Sequence, residues 1–162
     1  QAVFESFLGD VDSGRTFFHG HSYSGNPLGC AVALASTQLL VDGLLPSLPG
    51  KIERIRQAIA SWHEMPHVGE IRQAGMMLGI ELVKDRTTRE IFPYRNQVGI
   101  IVRQEARARG LIVRPIGPTL IFMPPLAATN RELDEMLEIL AAALRASMPR
   151  LAALAESAPS VP

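Results

Sequence analysis

The sequence predicts an α+β domain: a small, mostly antiparallel sheet covered by helices. Three observations point there. Two apolar segments, residues 68–83 and 111–123, carry strand-like patterns and are each interrupted by a glycine-containing turn. Apolar residues recur at helical spacing in the stretches on either side of them. The 162 residues, 47% of them hydrophobic, suffice for one or two compact units with a buried core.

The elements follow in order. Residues 1 to 26 crowd Gly, Ser and aromatic side chains together and predict a loop with contacts to make. Asn26 can cap a helix, and Pro27 suits its first position, so a helix is expected to run through Leu45. Its first turns are small: Gly29, Cys30, Ala31, Ala33 and Ala35. Such a surface either lets another backbone approach closely or belongs to an ordinary buried helix. The stretch from Leu28 to Val41, interrupted by Ser36, Thr37 and Gln38, is shorter than the roughly 20 residues a membrane span needs. It is expected to be buried in protein.

Gly43, Pro46, Pro49 and Gly50 end that helix, and Ile52, Ile55, Ile59 and Trp62 mark the next. His63 and His67 flank Met65-Pro66 in a connection expected to be solvated. From Val68 to Val83 two strands are expected, joined near Gly75, with Leu78, Ile80 and Leu82 on one face and Arg72 and Glu81 as a cross-strand pair. Residues 85–93 are polar and turn-like. Val98, Ile101, Val102 and Ala106 then form a helical stripe that stops at Gly110. Leu111–Val113 and Leu120–Met123 are expected to be strands separated by a turn through Pro115, Gly117 and Pro118. Thr129 with Glu132 makes a capping box for a last helix, whose stripe is Leu133, Met136, Leu137, Leu140 and Leu144. The final dozen residues, rich in Ala, Ser and Pro, are expected to be a frayed tail. Three regions result: 1–45 with the loop and linking helix, 46–150 as the small domain, and 151–162 as the tail.

Sixteen basic residues balance sixteen acidic ones, with no Lys/Arg-rich run, which excludes the electrostatic footprint of a nucleic-acid binder or a polybasic membrane anchor. A small-molecule or protein partner fits better. Cys30 is the single cysteine, so neither an intramolecular disulfide nor a cysteine zinc cluster can form, and a reducing, cytoplasmic setting is expected. The N-terminal Gln1-Ala2-Val3-Phe4-Glu5 shows neither Met nor a signal pattern, so the chain is expected to begin in mid-protein.

Two places could carry chemistry. In His19-Gly20-His21-Ser22-Tyr23-Ser24-Gly25-Asn26, glycines allow close approach, hydroxyls donate, and a helix N-terminus follows. That combination can hold a phosphate or carboxylate; it also describes a plain capped turn. His19 and His21 have no third ligand nearby at a zinc spacing, so no metal is expected. Arg114 is expected at the end of an apolar strand, at the rim of a sheet. There its planar fork can grip a carboxylate bidentately, or it makes a structural ion pair.

Both places fall inside a wider pattern. HGHSYSGNPLGCAVALAS (19–36) resembles the loop-plus-helix signature of class III, fold-type I pyridoxal-phosphate aminotransferases. PHVGEIRQAGMMLGIELV (66–83), GLIVRPIGPTLIFMPPL (110–126) and the closing helix are similar to the branch of that family that aminates 8-amino-7-oxononanoate to 7,8-diaminononanoate in biotin synthesis. The resemblance runs over roughly residues 3 to 148 in one register and implies the C-terminal portion of such an enzyme, with a homodimeric assembly. By position it implies that Gly20 contacts substrate and that His21 and Ser22 contact the phosphate of pyridoxal 5'-phosphate in the neighbouring subunit's site. It implies that Arg114 binds the substrate carboxylate. Many members have Pro-Thr where this chain has His21-Ser22; the hydroxyl is kept, and S-adenosylmethionine is the amino donor the branch implies.

The family's catalytic lysine, which joins the cofactor covalently, lies upstream of the HG loop, where this sequence has no lysine. Only Lys51 and Lys84 occur, neither in a matching context, so no catalytic residue is expected here and the chain alone is expected to be inactive. Other readings are a class III enzyme acting on ornithine, acetylornithine or an ω-amino acid, and a non-catalytic α+β interaction domain.

Overall fold

The computed structural model describes residues 1–156. They divide into two compact units, one spanning Gln1–Leu40 and the other beginning at Val41. The sequence placed the division five residues later, at 45/46. The shift has a local cause. Helix α2 (Pro27–Leu39) gives way at Leu40 to a π-helical turn, Leu40–Leu44, and then a 3-10 turn, Leu45–Ser47. Gly43 loosens the backbone there, and Pro46 lacks the N–H that regular α-helix would need. The single expected helix therefore changes its winding before it ends.

The first unit holds a one-turn helix α1 (Ala2–Glu5), a 3-10 turn (Val11–Ser13), a loop and α2. Asn26 caps α2 as expected, its Oδ1 accepting the Gly29 N–H at 2.9 Å. Within this chain α2 is not covered: no residue of this unit is buried, and Leu28, Val32, Leu34 and Leu39 are all largely exposed. One helix and a loop have too little surface to cover each other's apolar side chains. The helical run Pro27–Glu64 is also long and apolar enough to cross a membrane by composition, which the segment from Leu28 to Val41 alone is not. The same composition suits a helix packed against protein.

The second unit starts with α3 (Leu48–Ile59), continued by a 3-10 segment to Glu64. Strands β1 (Val68–Ala74) and β2 (Met77–Asp85) form a hairpin about Gly75, which sits at φ 60° where a side chain would be strained. A two-residue strand β3 (Glu90–Ile91) pairs with the end of β2. Sequence patterning missed it, because two residues carry no period. What folds it back is Asp85, whose carboxylate accepts the N–H groups of Thr87 and Thr88 at 2.6 and 2.8 Å.

Helix α4 (Val98–Ala108) ends where expected, at Gly110. The Gly110 N–H bonds Arg107 O and the Leu111 N–H bonds Ala106 O, each at 3.0 Å, the pairing of a Schellman cap. That cap overturns the strand expected at Leu111–Val113. Strand β4 is Arg114–Ile116 instead, paired with β5 (Thr119–Phe122). The turn is only Gly117-Pro118, with Gly117 at positive φ, so pairing begins at Ile116 opposite Thr119 and ends at Arg114 opposite Ile121. Leu111 and Val113 enter the core without joining the sheet.

The sheet order is β1-β2-β5-β4, antiparallel at every pairing. Period-two alternation puts Leu78, Ile80, Leu82, Leu120 and Phe122 on its inner face, packed with Ile55, Val102, Leu133, Leu140 and Leu144 from the helices. The outer face carries Arg72, Glu70 and Glu81, where Arg72 meets both acids, at 2.9 and 3.5 Å, fulfilling the expected cross-strand pair. His67, expected in solvent, is buried: its Nδ1 lies 3.1 Å from Val83 O and its ring 5.5 Å from that of Phe92. The ring nitrogen finds a backbone partner, which lets the imidazole leave water.

Helix α5 (Asn130–Glu156) opens with the expected capping box. Thr129 N–H and Oγ1 both reach Glu132 Oε2 at 2.8 Å, and Glu132 N–H returns to Thr129 Oγ1 at 3.2 Å. It then runs past Pro149 to Glu156, which overturns the frayed tail for residues 151–156. The apolar stripe simply continues: Leu140, Leu144 and Leu151 are fully buried, with the small Ser147 buried between them. The rest of that expected tail, 157–162, lies outside the described residues.

Candidate functional site

The Gly20–Ser22 segment belongs to the first unit and Arg114 to the second. Each is therefore built by its own unit.

In the first, the loop ahead of α2 closes through Ser24 N–H to His21 O at 3.0 Å and Asn26 N–H to Tyr23 O at 3.1 Å. His21 stands edge-on to the ring of His19, 5.2 Å between centroids, and His19 in turn stacks near Phe17. Gly20 has open space where a Cβ would stand, so a ligand could approach its backbone. The Ser22 hydroxyl takes no hydrogen bond among the described residues and is exposed. The end of α2 itself has little donor capacity left. Pro27 has no N–H, Gly29 donates to Asn26 Oδ1, and Cys30 donates to Asn26 O. An anion at this loop would thus be held by the Ser22 hydroxyl and loop amides more than by the helix terminus. Among the described residues no three His, Cys, Asp or Glu side chains gather as a metal site.

In the second, Arg114 opens edge strand β4 and is exposed. It does not follow a strand, as the sequence suggested; it starts one. Strand alternation puts its side chain with Ile116 on the outer face and Pro115 on the face toward α4. Arg54, Arg72 and Arg109 are spent on Asp134, Glu70 and Glu105, but Arg114 makes no hydrogen bond or ion pair among the described residues. Among the described residues the structural ion pair left open by the sequence is not made. A cleft of about 310 Å³ lies on the other side of β4, walled by Phe92, Tyr94, Gln97, Val98, Pro115 and Pro118. No short motif signals it, because its walls come from two separate stretches of chain.

The family model for class-III aminotransferases matches residues 3–144. The chain belongs to that family. An adenosylmethionine-8-amino-7-oxononanoate aminotransferase from Geobacter sulfurreducens is 46% identical over 139 residues, 85% of this chain and 31% of that protein. The crystal structure of the Methanocaldococcus jannaschii enzyme of the same name superposes with a TM-score of 0.81 at 34% identity, covering 89% of this chain and 33% of that one. An aminotransferase from Vibrio fluvialis in its PMP-bound form superposes at 0.80 with 30% identity, covering 87% and 31%. This class-III chain thus has the fold of the C-terminal part of a fold-type I aminotransferase and spans about a third of the length of the curated relatives it matches.

The residues present fit one end of pyridoxal phosphate. An unengaged hydroxyl, an imidazole and loop amides suit a phosphate dianion. Neither lysine is placed to serve the ring: Lys51 Nζ is bonded to Leu126 O and Lys84 Nζ to Glu90 Oε1.

Proposed function

We propose that this chain is the C-terminal third of an aminotransferase that converts 8-amino-7-oxononanoate to 7,8-diaminononanoate, with S-adenosylmethionine as amino donor. The observation that carries the reading is the 46% identity over 139 residues to a curated enzyme of that name, within a class-III family match that spans both candidate sites. Pyridoxal 5'-phosphate, when bound, supplies the electron sink through which an amino group passes from donor to acceptor.

This chain's residues do the holding. The Ser22 hydroxyl donates to a phosphate oxygen, and His21 stands beside it with its ring fixed against His19. Gly20 leaves room for substrate over its backbone. Arg114 receives the acceptor's carboxylate in a two-point grip, which fixes the distance from that end of the substrate to its reacting carbonyl. A homodimer fits the first unit, whose apolar side chains, Phe18, Leu28 and Val32 among them, lie exposed and need a covering partner. In such a dimer the His21-Ser22 pair serves the neighbouring subunit's cofactor. An exposed, unpaired Cys30 agrees with a reducing, cytoplasmic setting.

The test is Arg114→Ala in the full-length enzyme. The expected result is a loss in kcat/KM for the keto acceptor, carried mainly by KM and on the order of 2–5 kcal/mol where the bound carboxylate and Arg114 are shut off from water. Unchanged KM and kcat would remove Arg114 from the site. A panel of ornithine, acetylornithine and ω-amino acid substrates separates this reading from its relatives in the family.

A further inference from the structure

We infer that Gly99, in the first turn of α4, is a positioning residue for Arg114. A Cβ built at Gly99 would stand 2.5 Å from the carbonyl oxygen of Gly117 and 2.7 Å from Cβ of Pro115. Both atoms belong to the β4–β5 hairpin that carries Arg114. The first turn of α4 and the hairpin therefore meet at a separation that only glycine permits, and the Gly117 oxygen would have to move by at least about 0.5 Å to reach the shortest distance real Cβ atoms show.

Which side yields decides whether Arg114 moves. Helix α4 is fixed: Val98, Ile101 and Val102 are buried in the core. Its start is set by Gln97 at φ 47°, whose carbonyl accepts the Ile100 and Ile101 N–H groups. Strand β5 is fixed as well, because it pairs with β2, and the Leu82 N–H bonds Pro118 O at 3.1 Å. What remains is β4. It is an edge strand of three residues held on one side only, and its Pro115 has no N–H to add to the ladder. A side chain at 99 thus pushes the Pro115–Gly117 limb outward, and Arg114, next in the chain, goes with it. Displacing a substrate-orienting group by a fraction of an ångström to an ångström costs catalysis far more than stability.

The inference rests on the carboxylate role proposed for Arg114, and the experiment keeps the two apart. Gly99→Ala and Arg114→Ala are made in the full-length enzyme, and KM and kcat are measured with the keto acid acceptor and with a matched carbonyl acceptor lacking the carboxylate. Gly99→Ala is expected to raise KM for the carboxylate acceptor by roughly tenfold or more and to leave the carboxylate-free acceptor unchanged. A merely structural role would affect both acceptors alike. If Arg114→Ala raises KM for the carboxylate acceptor and Gly99→Ala does not, the inference is overturned and the Arg114 reading stands. If Arg114→Ala has no effect, that reading falls, and a crystal structure of the Gly99→Ala chain decides this one: the Gly117 oxygen and Arg114 displaced with β5 in place supports it, while a retreat of α4 overturns it. Should the alanine variant fail to fold, Gly99→Ala combined with Pro115→Gly keeps only the approach to the Gly117 oxygen, so a smaller rise in KM, still confined to the carboxylate acceptor, is expected; an equal effect on both acceptors overturns the inference.

Discussion

The ammonium of Lys51 donates to the carbonyl oxygen of Leu126 at 2.7 Å, joining the first turn of α3 to the segment between β5 and α5 across 75 residues. Lys51 is buried, one of few ionisable side chains so placed among the described residues. A buried charge is tolerated only with a partner, and the partner here is a backbone acceptor that α3 would otherwise not reach. Lys51→Met keeps the length and removes the donor. It should lower unfolding stability by about 1.5–3 kcal/mol, read as a shift in urea midpoint at constant slope. A midpoint within error of the parent would show that the bond is not made in solution.

The same bond bears on reactivity. Nucleophilic attack by a lysine needs a free amine, and Lys51 is committed to Leu126 while Lys84 pairs with Glu90 at 2.8 Å. Mixing the purified chain with pyridoxal phosphate and borohydride should leave no stoichiometric adduct on either residue in a peptide mass map. A stoichiometric adduct accompanied by transaminase turnover would overturn the account of both lysines.

Arg114→Lys separates shape from charge at the proposed carboxylate grip. A lysine keeps the positive charge but offers a point instead of a fork. In the full-length enzyme its KM for the keto acceptor should fall between the parent and Arg114→Ala. A lysine variant equal to the parent would mean that charge alone suffices and the two-point grip is not used.

Several local signals are legible in the sequence because the residues concerned are close together. The Asn26 cap, the Thr129–Glu132 box, the Gly110 stop and the alternation of Leu78, Ile80 and Leu82 each depend on a few neighbouring side chains. The resemblance extended this to the family, since its motifs are also local. What escaped was set by distant partners or by turn geometry that leaves no apolar pattern. His67 looked like a surface residue until Val83 and Phe92 closed over it. Strand β4 was placed three residues early because Leu111–Val113 is the more apolar run, while the Schellman cap and the Gly117-Pro118 turn decide the register. The close approach of Gly99 to Pro115 and Gly117 has no signature in sequence beyond a glycine in a helix, where glycine is unfavourable by about 1 kcal/mol.

The capping box predicts an acid limb to stability. Backbone and hydroxyl donation from Thr129 holds the Glu132 carboxyl below its ordinary value of 4.5, and donation from the Thr88 and Thr87 amides does the same for Asp85 against 3.8. Folding thus favours the ionised forms. The stabilisation is complete above those ordinary values and is lost as pH falls through them toward the lower values of the folded state. Thr129→Ala should cost about 1 kcal/mol at pH 7 through the lost cap, and flatten the pH dependence below the ordinary Glu132 value of 4.5. Urea midpoints across that range check it; an unchanged slope with pH would show that Thr129 does not set the ionisation of Glu132.

The last prediction concerns the end of α5. Pro149 removes one backbone donor and crowds the carbonyl four residues earlier, so a helix that depended on backbone bonds alone would stop near it. The helix continues because its apolar stripe does: Leu151 is fully buried, seven positions after Leu144, and Leu154 and Ala155 pack against the same core. Leu151→Ala should therefore cost about 2–5 kcal/mol, the range for emptying a buried leucine site. Arg150→Ala, at an exposed neighbouring position, should stay within about 0.5 kcal/mol. Equal, small effects from both substitutions would mean that the helix frays before Leu151 in solution, as composition alone suggests. A large effect from Leu151 alone would show that tertiary packing carries the helix past its proline.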